Sequence, residues 1–90
     1  MYYVYWLQSQ KDNQYYIGCT SKNPDDRLKE HNNEYVKSSK SRIPFKLIFC
    51  EKFSDKQKAY KRERFLKHPR GYQEKLKIIK KIENGPIAQW

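Results

Sequence analysis

Apolar and aromatic residues run from Tyr2 to Leu7 and again from Tyr15 to Cys19, parted by a polar stretch from Gln8 to Gln14. Residues 2–8, rich in Tyr, Val and Trp, read as a strand. Lys11-Asp12-Asn13-Gln14 is a turn signal, and residues 14–20 read as the returning strand of a hairpin. With Asp12-Asn13 as a two-residue loop, Leu7 faces Gly18, Ser9 faces Tyr16 and Tyr5 faces Thr20. Alternation then puts positions 5, 7, 9, 16, 18 and 20 on one face of the sheet. Asn23 is placed to cap a helix, with Pro24 at its first position and Asp25 and Asp26 in its first turn. That helix is predicted to run to about Asn33, and polar residues 34–43 read as a loop.

From Pro44 to Phe53 the pattern alternates. Phe45, Leu47, Phe49 and Phe53 share one parity, which predicts a third strand with one buried face. Ser54-Asp55-Lys56-Gln57 fits a capping box opening a second helix, from 55 to about 67. His68-Pro69-Arg70-Gly71 interrupts it. Residues 72–83 read as a third helix with Leu76, Ile79 and Ile82 inward, stopped by Asn84-Gly85-Pro86. The order strand, strand, helix, strand, helix, helix predicts an α+β fold, a three-stranded antiparallel sheet flanked by helices. Residues 1–85 are expected to form one domain, with 86–90 a loosely held tail.

Charge changes the picture at the C-terminal half. The net charge is +10, and residues 56–81 carry eleven Lys/Arg against two acids, whereas residues 1–55 carry nine against seven. A polyanion is the natural partner of such a surface. Nucleic acid is favoured over a membrane, because no helix sets a broad apolar face beside its lysines. Cys19 and Cys50 lack ligand-like spacing, which argues against zinc; reduced, partly buried thiols are expected, with a disulfide left open. The chain begins directly on a strand pattern and has no run of membrane-spanning length, so a cytoplasmic protein without a signal peptide is expected. A monomer is the default.

Three positions invite a chemical reading. Arg27 and His31, four apart, flank the apolar Leu28 and so lie at the edge of a buried helix face. They read as a phosphate-gripping guanidinium beside a proton acceptor, or as a surface arginine paired to Asp26 or Glu30 beside a partly buried histidine. Glu63 falls between Ala59 and Leu66 on the apolar stripe of the second helix. A carboxylate there needs a metal or an ion-pair partner, Arg27 included. Gly18, inside a strand, marks a bulge or a close backbone approach, and a phosphate backbone passing over the sheet is one such approach.

Tyr3-Val4-Tyr5, Tyr16-Ile17-Gly18, the helix Asn23-Pro24-Asp25-Asp26-Arg27-Leu28-Lys29-Glu30-His31-Asn32 and the late Lys61-Arg62-Glu63-Arg64 occur in one order. In that order they resemble the GIY-YIG nuclease superfamily over roughly residues 2–72. The resemblance is to its small single-domain branch, UPF0213-like or of the excinuclease endonuclease type. Tyr3 stands where the eponymous triplet has glycine, and Val4 where it has isoleucine. The resemblance implies a similar α/β sandwich and an endonuclease that hydrolyses phosphodiester bonds in DNA. It implies one Mg²⁺ or Mn²⁺ on Glu63, with Tyr5, Tyr16, Arg27, His31 and Glu63 as the catalytic set. Tyr5 is then the expected general base, with His31 taking the proton onward and Tyr16 orienting water and phosphate. Gly18, Thr20, Lys22, Lys40, Arg42, Lys61 and Arg62 are the expected nucleic-acid contacts. RNA stays open as a substrate. The rival readings are a non-catalytic basic module that binds nucleic acid, with tyrosines packing or stacking on bases, and a structural component of a ribonucleoprotein.

Overall fold

The computed structural model of the chain describes residues 1–33 and 41–84. Its elements are β1 (Tyr2–Ser9), β2 (Tyr15–Thr20), α1 (Pro24–Asn32), β3 (Phe45–Phe53), α2 (Lys56–Lys67), a 3₁₀ turn (Pro69–Gly71) and α3 (Tyr72–Asn84). The three strands form one antiparallel sheet in the order β2-β1-β3. The fold is therefore α+β, with helices on both faces of a small sheet. The tail at 86–90 and most of the polar loop, 34–40, lie outside the described residues, as does Lys40.

The β1–β2 hairpin closes with a longer loop than the expected two residues. Ser9 N–H donates to Gln14 O and Asn13 N–H to Ser9 O, each at 2.9 Å, and Asn13 takes a positive φ of 62°. Asparagine tolerates that conformation better than most residues. The register consequently shifts by two: Tyr5 pairs with Gly18, Leu7 with Tyr16 and Tyr3 with Thr20. An even shift preserves face parity, so Tyr5, Leu7, Tyr16 and Gly18 still share a face.

The third strand departs further from expectation. Trp6 pairs with Phe49 but Leu7 with Leu47, leaving Ile48 as an extra residue in a bulge. The bulge reverses parity halfway along β3. Phe45 and Leu47 therefore pack with Tyr5 and Leu7 toward α1, while Ile48, Phe49 and Phe53 pack with Val4 and Trp6 toward α2 and α3. Both faces are buried, not one.

α1 begins where its cap predicts, whereas α2 begins one residue later than expected, capped by Asp55 rather than by Ser54 of the expected capping box. Asn23 Oδ1 accepts from Asp25 N–H at 2.8 Å, and Asp55 Oδ1 from Gln57 N–H at 2.8 Å. Ala59 and Leu66 of α2 and Ile78 of α3 are buried against Val4, Trp6 and Ile17. In α3 the buried anchor is Ile78, flanked by Ile79 and Ile82, and Leu76 is only half-buried. Gly71 sits so close to the end of α2 that a Cβ there would collide with the Phe65 carbonyl. Only glycine lets the chain turn this tightly from α2 into α3.

Candidate active site

On the α1 side of the sheet, polar groups meet inside the molecule. The Tyr5 ring is 1% exposed and His31 is fully buried. The Tyr5 hydroxyl lies 3.1 Å from His31 Nε2 and accepts from Arg27 Nε–H at 3.3 Å. The arginine can only donate, so the phenol proton points to His31, whose Nε2 acts as acceptor. Burial pushes the Tyr5 phenol up to about 12, against the opposing pull of the Arg27 hydrogen bond. Burial, and after it the Arg27 charge, pushes His31 down to about 4. The imidazole is thus neutral near pH 7 and able to take a proton.

Each member is placed by its element. Strand alternation brings Tyr5 and Tyr16 to one face, and the Tyr16 ring stands edge-on to His31 with centroids 4.8 Å apart. Phe45 closes the His31 pocket from β3, 5.9 Å away. The four-residue spacing of α1 puts Arg27 and His31 one turn apart over Tyr5. Arg27 also donates to Glu30 Oε1 at 2.7 Å, and Glu30 in turn holds Lys22 at 2.6 Å. Hydrogen bonds from Lys22 first, then Arg27, hold the Glu30 carboxyl below its ordinary range.

Gly18 has a different task from the one expected. It lies directly across from Tyr5, and a Cβ at this position would collide with the Tyr5 hydroxyl and ring. The room that glycine leaves is filled by the phenol itself, which crosses β2 to reach α1. The pairing Tyr5↔Gly18 thereby couples the two tyrosine motifs.

Glu63 comes from the opposite side. Its helix packs on the other face of the sheet, yet Lys67, one turn further, carries its ammonium to 5.8 Å above the Tyr16 ring. Lys67 Nζ and Glu63 Oε2 are 3.1 Å apart. The pair therefore reaches past the edge strand β2 toward the tyrosine face, and the Glu63 charge is felt by Tyr5 and Cys19. The ion-pair partner of Glu63 is thus Lys67 of its own helix, while Arg27 is held by Glu30.

The remaining expected contacts separate into two kinds. Arg62 is clamped by Glu51 through two bonds, at 2.9 and 3.0 Å, and by Glu74 at 2.9 Å, tying β3, α2 and α3 together. Arg42 donates to Tyr15 O at 3.1 Å, pairs with Asp12 at 3.6 Å and stacks over Phe45. These two guanidiniums tie elements of the fold together through partners within the chain. Sequence alone shows neither partner set, because each is remote along the chain. Thr20 Oγ1 accepts from Lys22 N–H at 3.0 Å. Lys61 is exposed, and among the described residues no carboxylate lies within ion-pair distance of it. Cys19 and Cys50 are free thiols, half-buried and buried.

A divalent cation has few protein ligands to draw on here. Among the described residues no group of three His, Cys, Asp or Glu is arranged to hold one. Glu63, with its side chain 18% exposed beside the tyrosines, offers a single hard oxygen ligand. That suits Mg²⁺ or Mn²⁺ shared with substrate phosphate and water, and does not suit a metal held by protein alone.

A buried tyrosine, a histidine and an arginine are thus hydrogen-bonded together between the sheet and the first helix. The chain matches the GIY-YIG catalytic domain over residues 1–77 and belongs to that family. The family is of nuclease type, acts on nucleic acid and generally uses divalent metals. The chain is 41% identical over 68 residues to UPF0213 protein CPE1444 of Clostridium perfringens, covering 74% of this chain and 71% of the relative. It is 39% identical over 79 residues to UPF0213 protein SH2523 of Staphylococcus haemolyticus, covering 87% and 93%. No solved structure matches it significantly. No helix among the described residues is long and apolar enough to cross a membrane.

Proposed function

We propose that the protein is a metal-dependent endonuclease that hydrolyses phosphodiester bonds in DNA during repair, recombination or processing. The observation that carries this reading is the bond pair at Tyr5, with Arg27 on its oxygen and His31 at its proton. Arg27 is the group that grips phosphate, since a guanidinium matches phosphate oxygens bidentately. A phosphate drawn onto Arg27 pulls its Nε–H from Tyr5 and opens an acceptor position on the phenol oxygen. Water enters there, gives a proton to Tyr5 as it attacks phosphorus, and Tyr5 passes its own proton to His31; the bond from phosphorus to the leaving strand oxygen breaks, and that oxygen takes a proton from solvent. The same phosphate offsets the Arg27 charge, the second cause that holds His31 low, and makes the imidazole a better acceptor. Tyr16, edge-on to His31, orients water and phosphate. Glu63 would hold the Mg²⁺ or Mn²⁺ ion, which when bound supplies charge stabilisation at phosphate oxygens.

The rival reading, a binding module without catalysis, draws support from the Lys67 ammonium already seated on Glu63. The two are separated by incubating labelled branched, single-stranded and duplex DNA, and the matching RNA, with Mg²⁺, Mn²⁺ or EDTA. Metal-dependent cuts in any of these support the enzyme. Binding without cleavage of any form supports the module.

A further inference from the structure

Arg27, Arg42 and Arg62 are tied to carboxylates of this chain. Arg64 and Arg70 are not, and neither is Lys61: among the described residues no carboxylate lies within 4 Å of any of them. These three cations line one groove of about 300 Å³ together with Phe65 and His68. On α2, positions 61, 64 and 65 recur at the helical repeat and point away from the buried Ala59 and Leu66, and His68 follows at the helix C-cap. Arg70 comes from the 3₁₀ turn. The absent side chain of Gly71 lets that turn close against the Phe65 carbonyl, so the groove has a second wall.

The chemistry of the lining identifies the occupant. Three fixed positive charges without an acid among them call for an anion. Phe65 is 42% exposed inside this basic setting. A lone exposed phenylalanine needs no explanation, but an aromatic face among unpaired cations is what a nucleic acid strand with accessible bases requires. Bases stacked within a duplex cannot reach such a ring. A membrane surface would need a broader apolar face than one phenylalanine in a concave groove. We propose that this groove on the outer side of α2 holds an unpaired segment of nucleic acid, a base stacked on Phe65 and its phosphates against Lys61, Arg64 and Arg70. The inference takes nucleic acid as ligand from the nuclease reading and adds to it a substrate class: strands that carry a single-stranded segment. Lys67 follows Arg64 by three positions along α2, whereas Glu63 lies toward the Ala59–Leu66 stripe, on the other side of the helix from this groove.

The test is binding in EDTA, so that it does not depend on catalysis. Fluorescence anisotropy with a short labelled single strand and with a duplex of equal length is measured over a salt series. Phe65→Ala and Phe65→Leu are expected to weaken single-strand binding about tenfold, since stacking contributes roughly 1–3 kcal/mol per base. Their duplex binding and salt slope should be unchanged, and Phe65→Trp should restore affinity. Lys61→Ala/Arg64→Ala should reduce the single-strand salt slope by between about one and two. Single-strand affinity unchanged in both Phe65→Ala and Phe65→Leu overturns the inference. So does an equal loss for single strand and duplex. A protein that cuts nothing yet discriminates through Phe65 would keep this inference and lose the catalytic one; a protein that cuts while Phe65 is indifferent would do the reverse.

Discussion

Neighbouring residues of one strand serve two different interiors. Val4 and Trp6 of β1 turn toward α2 and α3 and are buried among Ile17, Ile48, Ala59, Leu66 and Ile78. Tyr5, between them, turns toward α1 and is buried on Arg27 and His31. On the first side burial is an end in itself, and even the Trp6 Nε1 finds no hydrogen-bond partner among the described residues. On the second side the buried groups carry protons and charge and satisfy one another. A core of this size gains nothing from enclosing a histidine where an apolar side chain would fit. On the proposed reading, the odd-numbered face of β1 serves chemistry and the even-numbered face stability.

That division is breakable by substitution on either face. Tyr5→Phe should lower cleavage by about 10²–10⁴-fold, the usual loss on removing a general base, while the protein stays folded. Single-turnover cleavage beside a denaturant melt reads both, and a wild-type cleavage rate would refute the assignment. Trp6→Ala should show the opposite pattern, with about 3–5 kcal/mol lost in denaturant unfolding and the rate per folded molecule retained. Such a loss is a large part of the ~5–15 kcal/mol that holds a small domain together.

Acid sharpens the comparison further. His31 is held at about 4 when folded, against about 6.5 for an unfolded chain. Between these values the unfolded chain binds the proton and the folded one does not. The histidine's contribution is therefore fully present above about pH 6.5 and lost as pH falls toward 4, by about 3 kcal/mol. Denaturant melts at stepped pH should show that slope, and His31→Gln should flatten it. A slope equal in wild type and His31→Gln would place the acid sensitivity elsewhere.

The smallest expected effect is at Gly18. Its replacement by alanine puts a methyl group against the Tyr5 phenol. Displacing that ring should cost about 1–3 kcal/mol and lower cleavage with it. Equal stability and rate in Gly18→Ala would show that the close approach to Tyr5 is dispensable.

The sequence shows Tyr5 and Tyr16 on one face because hairpin parity survives an even error in loop length, and the loop is longer by two. Asn23 is equally legible, since a cap is a local bond; at α2 two capping residues stand side by side, and the chain uses Asp55 in place of the expected Ser54. The Ile48 bulge is not, for nothing in an alternating run marks where one residue drops out of register. The clamps on Arg62 and Arg42 are hidden for another reason. Their partners lie on other elements, and an arginine in a basic helix looks the same whether a carboxylate or a phosphate waits for it. Gly18 is recognisable as a close approach, but what approaches is decided only by register. The Lys67–Glu63 pair has the i,i+4 spacing of a helical ion pair, a signal that is legible in the chain.

The central claim is that the odd-numbered face is a phosphodiesterase site completed from α2. It is tested most directly by comparing wild type with Glu63→Gln on the most readily cut DNA form, with Mg²⁺ or Mn²⁺ and with EDTA, reading cleavage and binding together. Among the described residues Glu63 forms its ion pair with a half-exposed Lys67 one turn away, a contact of roughly 0.3–0.5 kcal/mol, so the variant should remain folded. The account predicts metal-dependent cleavage by wild type, none by Glu63→Gln, and DNA binding as tight or tighter in the variant because a negative charge near phosphate is gone. Cleavage by Glu63→Gln at the wild-type rate, or wild-type protein that binds DNA yet cuts no form of it with either metal, would contradict it.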